Sequence, residues 1–313
     1  MSQTIIEHLR KEAINHLFSL DTVQNCWSIW KAQIQQQLPD LNAINVLDLG
    51  DHLSNVFRST GGNGRGQGEV SGGGTAWEAL ICWYMNLCLL ESRTVVVKFK
   101  KRLIPTPIRE ALIVSYGASP TSTESDLVAI TFPEKEIYAG NKLDIVARDH
   151  AGQIIPTTVG RNRFNYEKII DSLADIDFSD YEVGVIQCKT NWNDSAQIPM
   201  LWDMVYASEG FSRNQISVGT SAYKIRNLRK FSYSFVTVPT NKGSFTQNTL
   251  AVKRVQNISG GNYWGQASQP GVVYSVKEIF GRNFSSSTSI GTRATLNAAL
   301  PKLSQEYSYF DLI

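Results

Sequence analysis

The sequence predicts an α/β or α+β fold in which helices flank a mixed central β-sheet. The first 60 residues carry apolar side chains at helical spacing, whereas short apolar runs between residues 94 and 189 are typical of strands. The last third, residues 216–284, is again rich in strand patterns. Because helical and strand segments alternate along the chain, helices are expected on both faces of one sheet.

The 313 residues are interpreted as one domain with three regions. Residues 1–60 form a helical N-terminal region, residues 75–210 a central core, and residues 211–313 a strand-rich part that completes it. Thirty Lys and Arg against 28 Asp and Glu leave a net charge of +2. This balance neither requires nor excludes a polyanionic partner, so a nucleic-acid surface has to come from local clusters of charge.

The four cysteines match neither a zinc site nor a disulfide framework, which favours a reduced, cytoplasmic protein. The N-terminal residues lack the unbroken apolar stretch of a signal peptide. The longest apolar run, residues 79–90, is shorter than the roughly 20 residues that a membrane span requires. We therefore expect a soluble protein without a membrane partner.

Residues 61–74 contain eight glycines and one arginine, Arg65, and are predicted to form a mobile loop. Thr75 and Glu78 then have the spacing of a capping box, so a buried apolar helix is expected to begin there. The final residues, 285–313, are rich in Ser, Thr and Asn and are expected to be looser.

Short apolar and β-branched segments predict the strands of the sheet. They lie at residues 95–100, 111–116, 126–132, 143–146, 154–155, 183–189, 216–223, 231–239 and 249–257. Helices are predicted over residues 166–173 and 197–208.

The strand at 183–189 ends in polar residues that suggest chemistry. Side chains alternate along a strand, so Gln187 and Lys189 are expected to point to the same side. Asp126 heads an earlier apolar strand. A strand-end lysine beside an acid-headed strand suits a metal-dependent phosphodiesterase, in which carboxylates hold Mg²⁺ and the lysine positions the attacking water. Asp144 also heads an apolar run and competes with Asp126 as the metal ligand.

Residues 75–206 resemble the PD-(D/E)xK nuclease superfamily, which includes most type II restriction endonucleases. The resemblance lies in Asp126 after a turn and in the tripeptide Gln187-Cys188-Lys189 that closes a strand. Glu78 fits the glutamate that many members carry on the first core helix. The resemblance implies a restriction-endonuclease-like αβββαβ core, Mg²⁺ as cofactor and double-stranded DNA as substrate. It makes Glu78, Asp126, Gln187 and Lys189 the catalytic set, with the first three as metal ligands.

Two positions depart from the superfamily pattern. Ser125 precedes the aspartate where a proline is usual, which matters little. Gln187 stands where an acid is usual, and its amide oxygen can ligate Mg²⁺ but supplies no charge. Another carboxylate must compensate, either Glu78 or, in reserve, Asp203 on the following helix. Glu78 could instead serve only its capping box, and Lys189 could be an ordinary exposed lysine.

Candidate DNA-contacting residues lie in several segments. Residues 98–102 carry four cations, Lys98, Lys100, Lys101 and Arg102, and the stronger tract at 224–230 carries Lys224, Arg226, Arg229 and Lys230. Either run could also be a solvated surface. Arg65 in the glycine-rich loop could order on DNA. Directly after the candidate catalytic strand, Asn191, Asn193 and Asp194 are placed to contact bases.

The resemblance implies a type II restriction enzyme that cuts both strands of a specific DNA site. Such an enzyme is expected to act as a homodimer, since two-fold symmetry matches a palindromic site, and to work beside a cognate DNA methyltransferase in a restriction-modification system. The alternatives are a repair or junction-resolving nuclease on the same core, or a DNA-binding protein whose core has lost activity. None of the four histidines lies in a recognisable nucleophile motif, which disfavours a Ser/His/Asp or Cys/His hydrolase.

Overall fold

The computed structural model describes residues 3–61, 67–117, 119–121, 125–190, 216–238 and 245–313. The described helices are α1 Ile5–Phe18, α2 Asp21–Gln37, α3 Ala43–Asp48, α4 Leu53–Arg58, α5 Gln67–Cys88, α6 Thr106–Ala111, α7 Glu136–Ala139, α8 Tyr166–Ile176, α9 Leu250–Val255, α10 Ile279–Arg282 and α11 Thr292–Ala299. The described strands are β1 Thr94–Lys98, β2 Val114–Tyr116, β3 Ser119–Thr121, β4 Leu127–Thr131, β5 Thr158–Val159, β6 Arg163–Phe164, β7 Glu182–Lys189, β8 Ile216–Val218, β9 Lys230–Thr237, β10 Asn262–Trp264 and β11 Tyr274–Ser275.

A six-stranded mixed sheet with the order β1-β4-β7-β9-β10-β11 forms the centre of the fold. Strands β1, β4 and β7 pair antiparallel, whereas β9, β10 and β11 continue from β7 in parallel. Two smaller sheets, β3-β2-β8 and β5-β6, lie outside it. The prediction of a mixed central sheet flanked by helices is confirmed.

Each face of the central sheet buries its own apolar core. Along β7, Val183 and Val185 belong to one core, while Ile186 and Cys188 belong to the other, as the alternation of a strand requires. The first core also takes residues from α1, α6, α8 and α9, and the second takes residues from α2, α3, α4, α5 and α11. In the part of the chain that the structure describes, no helix is both long and apolar enough to cross a bilayer.

The glycine-rich segment differs from its predicted structure, because α5 begins at Gln67 and not at Thr75. The prediction of a loop through residue 74 is therefore wrong for residues 67–74, and Thr75 lies inside the helix. Glycine costs a helix about 1 kcal/mol per residue relative to alanine. The later turns of α5 are buried and already helical. Adding residues 67–74 to that helix therefore avoids the larger cost of nucleating a new one.

Three other expectations from the sequence are wrong. Residues 143–146 form no strand: a 3₁₀ turn, Lys142–Asp144, stands there. The segment predicted as a strand at 249–257 contains α9, whose Ala251, Val252 and Val255 are buried together at helical spacing. The C-terminal residues are not loose, because α11 packs in the core and Phe310 and Leu312 are buried.

Helix α5 is held against the outer edge of β1 by Asn86. The Asn86 side-chain oxygen accepts the Val96 backbone N–H at 3.1 Å, and its amide nitrogen donates to the Val96 carbonyl at 2.6 Å and the Cys82 carbonyl at 2.9 Å. These bonds satisfy backbone groups that an edge strand would otherwise leave unpaired. They also fix the position of the rest of α5. Glu78 precedes Asn86 by eight residues and lies about 12 Å from it along the helix axis.

Replacing Asn86 with leucine is expected to lower the free energy of unfolding by about 3 kcal/mol, because it leaves the buried Val96 N–H without a partner and the Val96 carbonyl with only the weak Cys82 thiol as a donor. Urea unfolding followed by circular dichroism measures the change. Cys88→Ala, at another buried position of the same helix, is the control and should cost about 1 kcal/mol. An equal decrease in the two variants would contradict the role assigned to Asn86.

Candidate functional site

The candidate site lies at one end of the central sheet, where three strands begin or end. In the antiparallel register Lys98 pairs with Leu127, and Leu127 pairs with Ile186. The end of β1, the start of β4 and the end of β7 therefore meet at the same edge. This topology brings Asp126, directly before β4, beside Gln187 and Lys189.

Asp126 is the centre of the site's hydrogen bonds. Its Oδ2 accepts the Gln187 side-chain Nε2 and the Cys188 backbone N–H, each at 2.7 Å, and the Lys189 ammonium lies 3.8 Å from the same oxygen. Among the described residues, none donates a hydrogen bond to Oδ1. The Asp126 side chain is 15% exposed, and its two hydrogen bonds both go to Oδ2.

The pKa of Asp126 is raised from 3.8 to about 6, chiefly because burial disfavours the charged form. The charge of Lys189 works in the opposite direction, and the negative charge of Glu78 adds to the rise. Glu78 is thus near enough for its charge to affect the pKa of Asp126. A carboxyl group with its pKa raised near neutrality, beside a lysine, is typical of functional sites.

Gln187 is almost fully buried, at 1% exposure, and both ends of its amide are used. The nitrogen donates to Asp126, and the oxygen accepts the Tyr233 hydroxyl at 3.0 Å. Tyr233 lies on β9, which runs parallel to β7. The sequence interpretation made the Gln187 oxygen a metal ligand; in the structure this oxygen faces the tyrosine.

Glu78 approaches the same sheet end from α5 and forms an ion pair with Lys98, the last residue of β1. Since α5 begins eleven residues earlier, at Gln67, Glu78 is not in the first turn and the capping-box interpretation is wrong. Lys98 was predicted only as a possible phosphate contact. Its pairing with Glu78 depends on how α5 docks on β1, which no local sequence pattern reveals.

Two carboxylates, two lysines and one glutamine form the described part of the site: Glu78, Asp126, Lys98, Lys189 and Gln187. Among the described residues, no group of three or more His, Cys, Asp or Glu could hold a metal ion. Mg²⁺, however, usually keeps several waters and is held by only one or two carboxylates. The oxygens of Glu78 and Asp126 have the chemistry that this ion prefers.

Asp144, the alternative to Asp126, lies elsewhere. It is exposed at the end of the 3₁₀ turn Lys142–Asp144, and the Lys142 backbone N–H donates to Gln3, next to the start of α1. Lys100, just after β1, instead contacts His16 near the end of α1 at 3.0 Å. Gln3 and His16 are thirteen residues apart, which corresponds to about 20 Å along α1. Asp126, not Asp144, is therefore the aspartate that joins Gln187 and Lys189.

The two basic runs lie at opposite ends of the sheet. Lys230 begins β9 opposite Glu182, seven residues and about 23 Å along the strand from the Lys189 end. Arg229 pairs with Glu182 at 3.6 Å, and Lys230 donates to the Asn283 carbonyl at 2.9 Å. The structure thus places the tract with Lys224, Arg226, Arg229 and Lys230 away from the candidate site.

The other run directly follows β1 at the site edge. Lys101 and Arg102 are exposed there, and the Phe99 backbone N–H donates to the Asp126 carbonyl at 3.2 Å. The remaining candidates, Arg65, Asn191, Asn193, Asp194 and Asp203, lie outside the described residues, as does the predicted helix at 197–208. No protein-family model matches the chain, and a search of curated proteins finds no match.

Proposed function

We propose that the protein is a Mg²⁺-dependent endonuclease that hydrolyses phosphodiester bonds of double-stranded DNA, as a type II restriction enzyme does. The observation that carries the proposal is the convergence of Lys189 and Asp126, with 3.8 Å between the ammonium and Oδ2, at a sheet end that Glu78 also approaches. An acid and a lysine held in this way suit hydrolysis of a phosphate ester.

The order of elements supports the proposal. Helix α5 is followed along the chain by the antiparallel strands β1, β4 and β7, and β9 then pairs parallel with β7. An αβββαβ core has its last helix between the third and fourth of these strands, where residues 191–215 lie outside the described part. The described strands are compatible with that order.

The chain's residues would divide the chemistry among them. Glu78 and Asp126 would hold Mg²⁺, which when bound polarises the scissile phosphate and acidifies a bound water. Lys189 would position the attacking water and donate to a phosphate oxygen as negative charge builds up on it. Gln187 and the Cys188 N–H keep the Asp126 carboxylate in a single orientation.

Incubation of supercoiled plasmid with the protein and Mg²⁺ tests the proposal, with fragment ends mapped by sequencing and with EDTA as the control. Discrete fragments with one common end sequence are expected. Cleavage of branched DNA alone would favour the repair or junction-resolving alternative. DNA binding with no cleavage of any substrate would mean that the core is a binding module.

A homodimer and a cognate DNA methyltransferase are further parts of the proposal. Two copies would cut a palindromic site symmetrically. Sedimentation of the protein with a short duplex carrying the mapped site should give two chains per duplex. Plasmid from cells that carry the matching methyltransferase should resist cleavage, and full cleavage of methylated plasmid would oppose a restriction-modification role.

The exposed cations after β1 are the proposed phosphate-contacting surface, because they lie at the site edge. Replacing Lys101 and Arg102 with alanine is expected to lower the slope of log K against log salt by about 2, because each cation that no longer neutralises a phosphate lowers it by roughly 1. Fluorescence anisotropy with labelled duplex in Ca²⁺ measures binding without cleavage.

The matched control replaces Lys224 and Arg226 with alanine, at the opposite end of the sheet. This variant should keep the salt dependence of the wild-type protein. A decrease in slope confined to the control would exchange the roles of the two runs and return the DNA surface to residues 224–230.

A further inference from the structure

The orientation of the Gln187 amide is fixed by its two partners. Oδ2 of the ionised Asp126 carboxylate can only accept hydrogen bonds, and it already accepts the Cys188 N–H, so the amide turns its nitrogen towards it. The amide oxygen then faces the hydroxyl of Tyr233, which donates to it. Turning the amide over would place its oxygen against the Asp126 carboxylate and remove the 2.7 Å hydrogen bond.

Burial makes this chain of hydrogen bonds rigid. Gln187 and Tyr233 are each 1% exposed, and Tyr233 packs within the apolar core on its face of the sheet. Hydrogen bonds in a low-dielectric interior strengthen one another when they form a chain. A polar group there is costly to leave unpaired, so the Tyr233–Gln187–Asp126 arrangement should persist when a ligand binds Asp126.

We propose that Gln187 and Tyr233 are positioning residues and not metal ligands. Tyr233 holds the Gln187 amide, the amide holds Oδ2 of Asp126, and Oδ1 is thereby presented to the metal ion together with the Glu78 carboxylate. This inference rests on the proposed function, since it assigns roles within the same site. It explains how an amide can stand at an acid position without contributing charge.

A double-mutant cycle on metal affinity tests the proposal. Mg²⁺ binding to the metal-free protein is measured by titration calorimetry for wild type, Tyr233→Phe, Gln187→Leu and the double variant. Loss of a residue that orients a metal ligand typically costs about 10- to 100-fold in affinity. Tyr233→Phe should weaken binding at least about tenfold, and adding it to Gln187→Leu should change little, because it acts only through the amide.

Direct ligation by Gln187 predicts a different pattern. Gln187→Leu would then weaken binding strongly, whereas Tyr233→Phe, which frees the amide oxygen, would leave affinity unchanged or raise it. That result would overturn the proposal. Tyr263→Phe is the control: this buried tyrosine lies on β10 and bonds Gly260 and Asn283, and its variant should bind Mg²⁺ like wild type.

A measurement on the unmodified protein covers the case in which a variant fails to fold. Anomalous diffraction from Mn²⁺-soaked crystals locates the ion, and an amide oxygen of Gln187 within about 2.2 Å of it would reject the positioning role. If wild type binds metal but cuts no DNA, the proposed function fails, and the double-mutant cycle on Mg²⁺ affinity still decides the positioning role. If wild type binds no divalent ion, both fail.

Discussion

Lys189→Ala is expected to lower the single-turnover rate of DNA cleavage by about 10²- to 10³-fold, the usual cost of removing one donor to a developing negative charge. The ammonium lies at the end of β7, 3.8 Å from Oδ2 of Asp126, and the Lys189 side chain is 24% exposed. Affinity for the uncleaved duplex in Ca²⁺ should change little, because one cation among many contributes modestly to binding.

The control for this variant is Lys168→Ala, which removes an exposed lysine on α8. It should cut at the wild-type rate. Cleavage by Lys189→Ala at a near wild-type rate, with Lys168→Ala unchanged, would exclude Lys189 from the mechanism. A matching decrease in DNA affinity would instead make Lys189 a binding residue.

Asp126→Asn is expected to abolish Mg²⁺-dependent cleavage while the protein remains folded. The asparagine oxygen can still accept from Gln187 and Cys188, but the charge that attracts the ion is removed. A metal ion contributes several kcal/mol to such a reaction, so the rate should fall about a thousandfold or more. Calorimetric titration should show Mg²⁺ affinity falling in parallel. Retained affinity without cleavage would assign the metal to other residues.

In the metal-free protein, Asp126→Asn also removes the contribution of Asp126 to the pH dependence of the free energy of unfolding. The folded state keeps the proton to about pH 6, whereas the unfolded chain releases it near 3.8. The unfolded state therefore binds fewer protons between these values, and the free energy of unfolding falls as pH rises through that window. The full difference is about 3 kcal/mol, since one pKa unit corresponds to about 1.4 kcal/mol.

Urea unfolding of wild type and Asp126→Asn from pH 3.5 to 8 measures the effect. The variant's stability relative to wild type should rise between about pH 4 and 6 and then level off. Asp144→Asn, at an exposed aspartate, should follow wild type throughout. A constant difference at all pH values would mean that the pKa of Asp126 is the same in both states. The apparent affinity of the metal-free protein for Mg²⁺ should increase as pH rises to about 6 and then level off, because the ion binds the ionised carboxylate.

Local patterns in the sequence identified Asp126, Gln187 and Lys189 as candidate site residues, but left Asp144 as an alternative to Asp126. Two of them share one side of a strand by alternation, and the third heads another strand. Tyr233 and Lys98 were missed as site residues for a common reason. Their roles depend on the parallel register of β9 against β7 and on the docking of α5 against β1, which are tertiary properties.

Strand direction explains why the basic tract at 224–230, the stronger DNA-contacting candidate in the sequence, lies away from the candidate site. Its density of cations is visible in the sequence, but its place in space is not. Because β9 runs parallel to β7, the residues that precede β9 lie beside Glu182, away from Lys189. The weaker run after β1 reaches the site edge because β1 is antiparallel to β4.

The covered edge of β1 limits how two copies of the chain can associate. Asn86 occupies the outward backbone groups of Val96, and the Arg10 guanidinium donates to the Thr94 carbonyl at 3.0 Å. A second subunit cannot extend the sheet past this strand without displacing both side chains. At the opposite margin β11 has only two residues, Tyr274–Ser275, too short a template for strand addition. The homodimer proposed above would therefore have to form its interface away from the two edges of the central sheet, on other surfaces of the subunit.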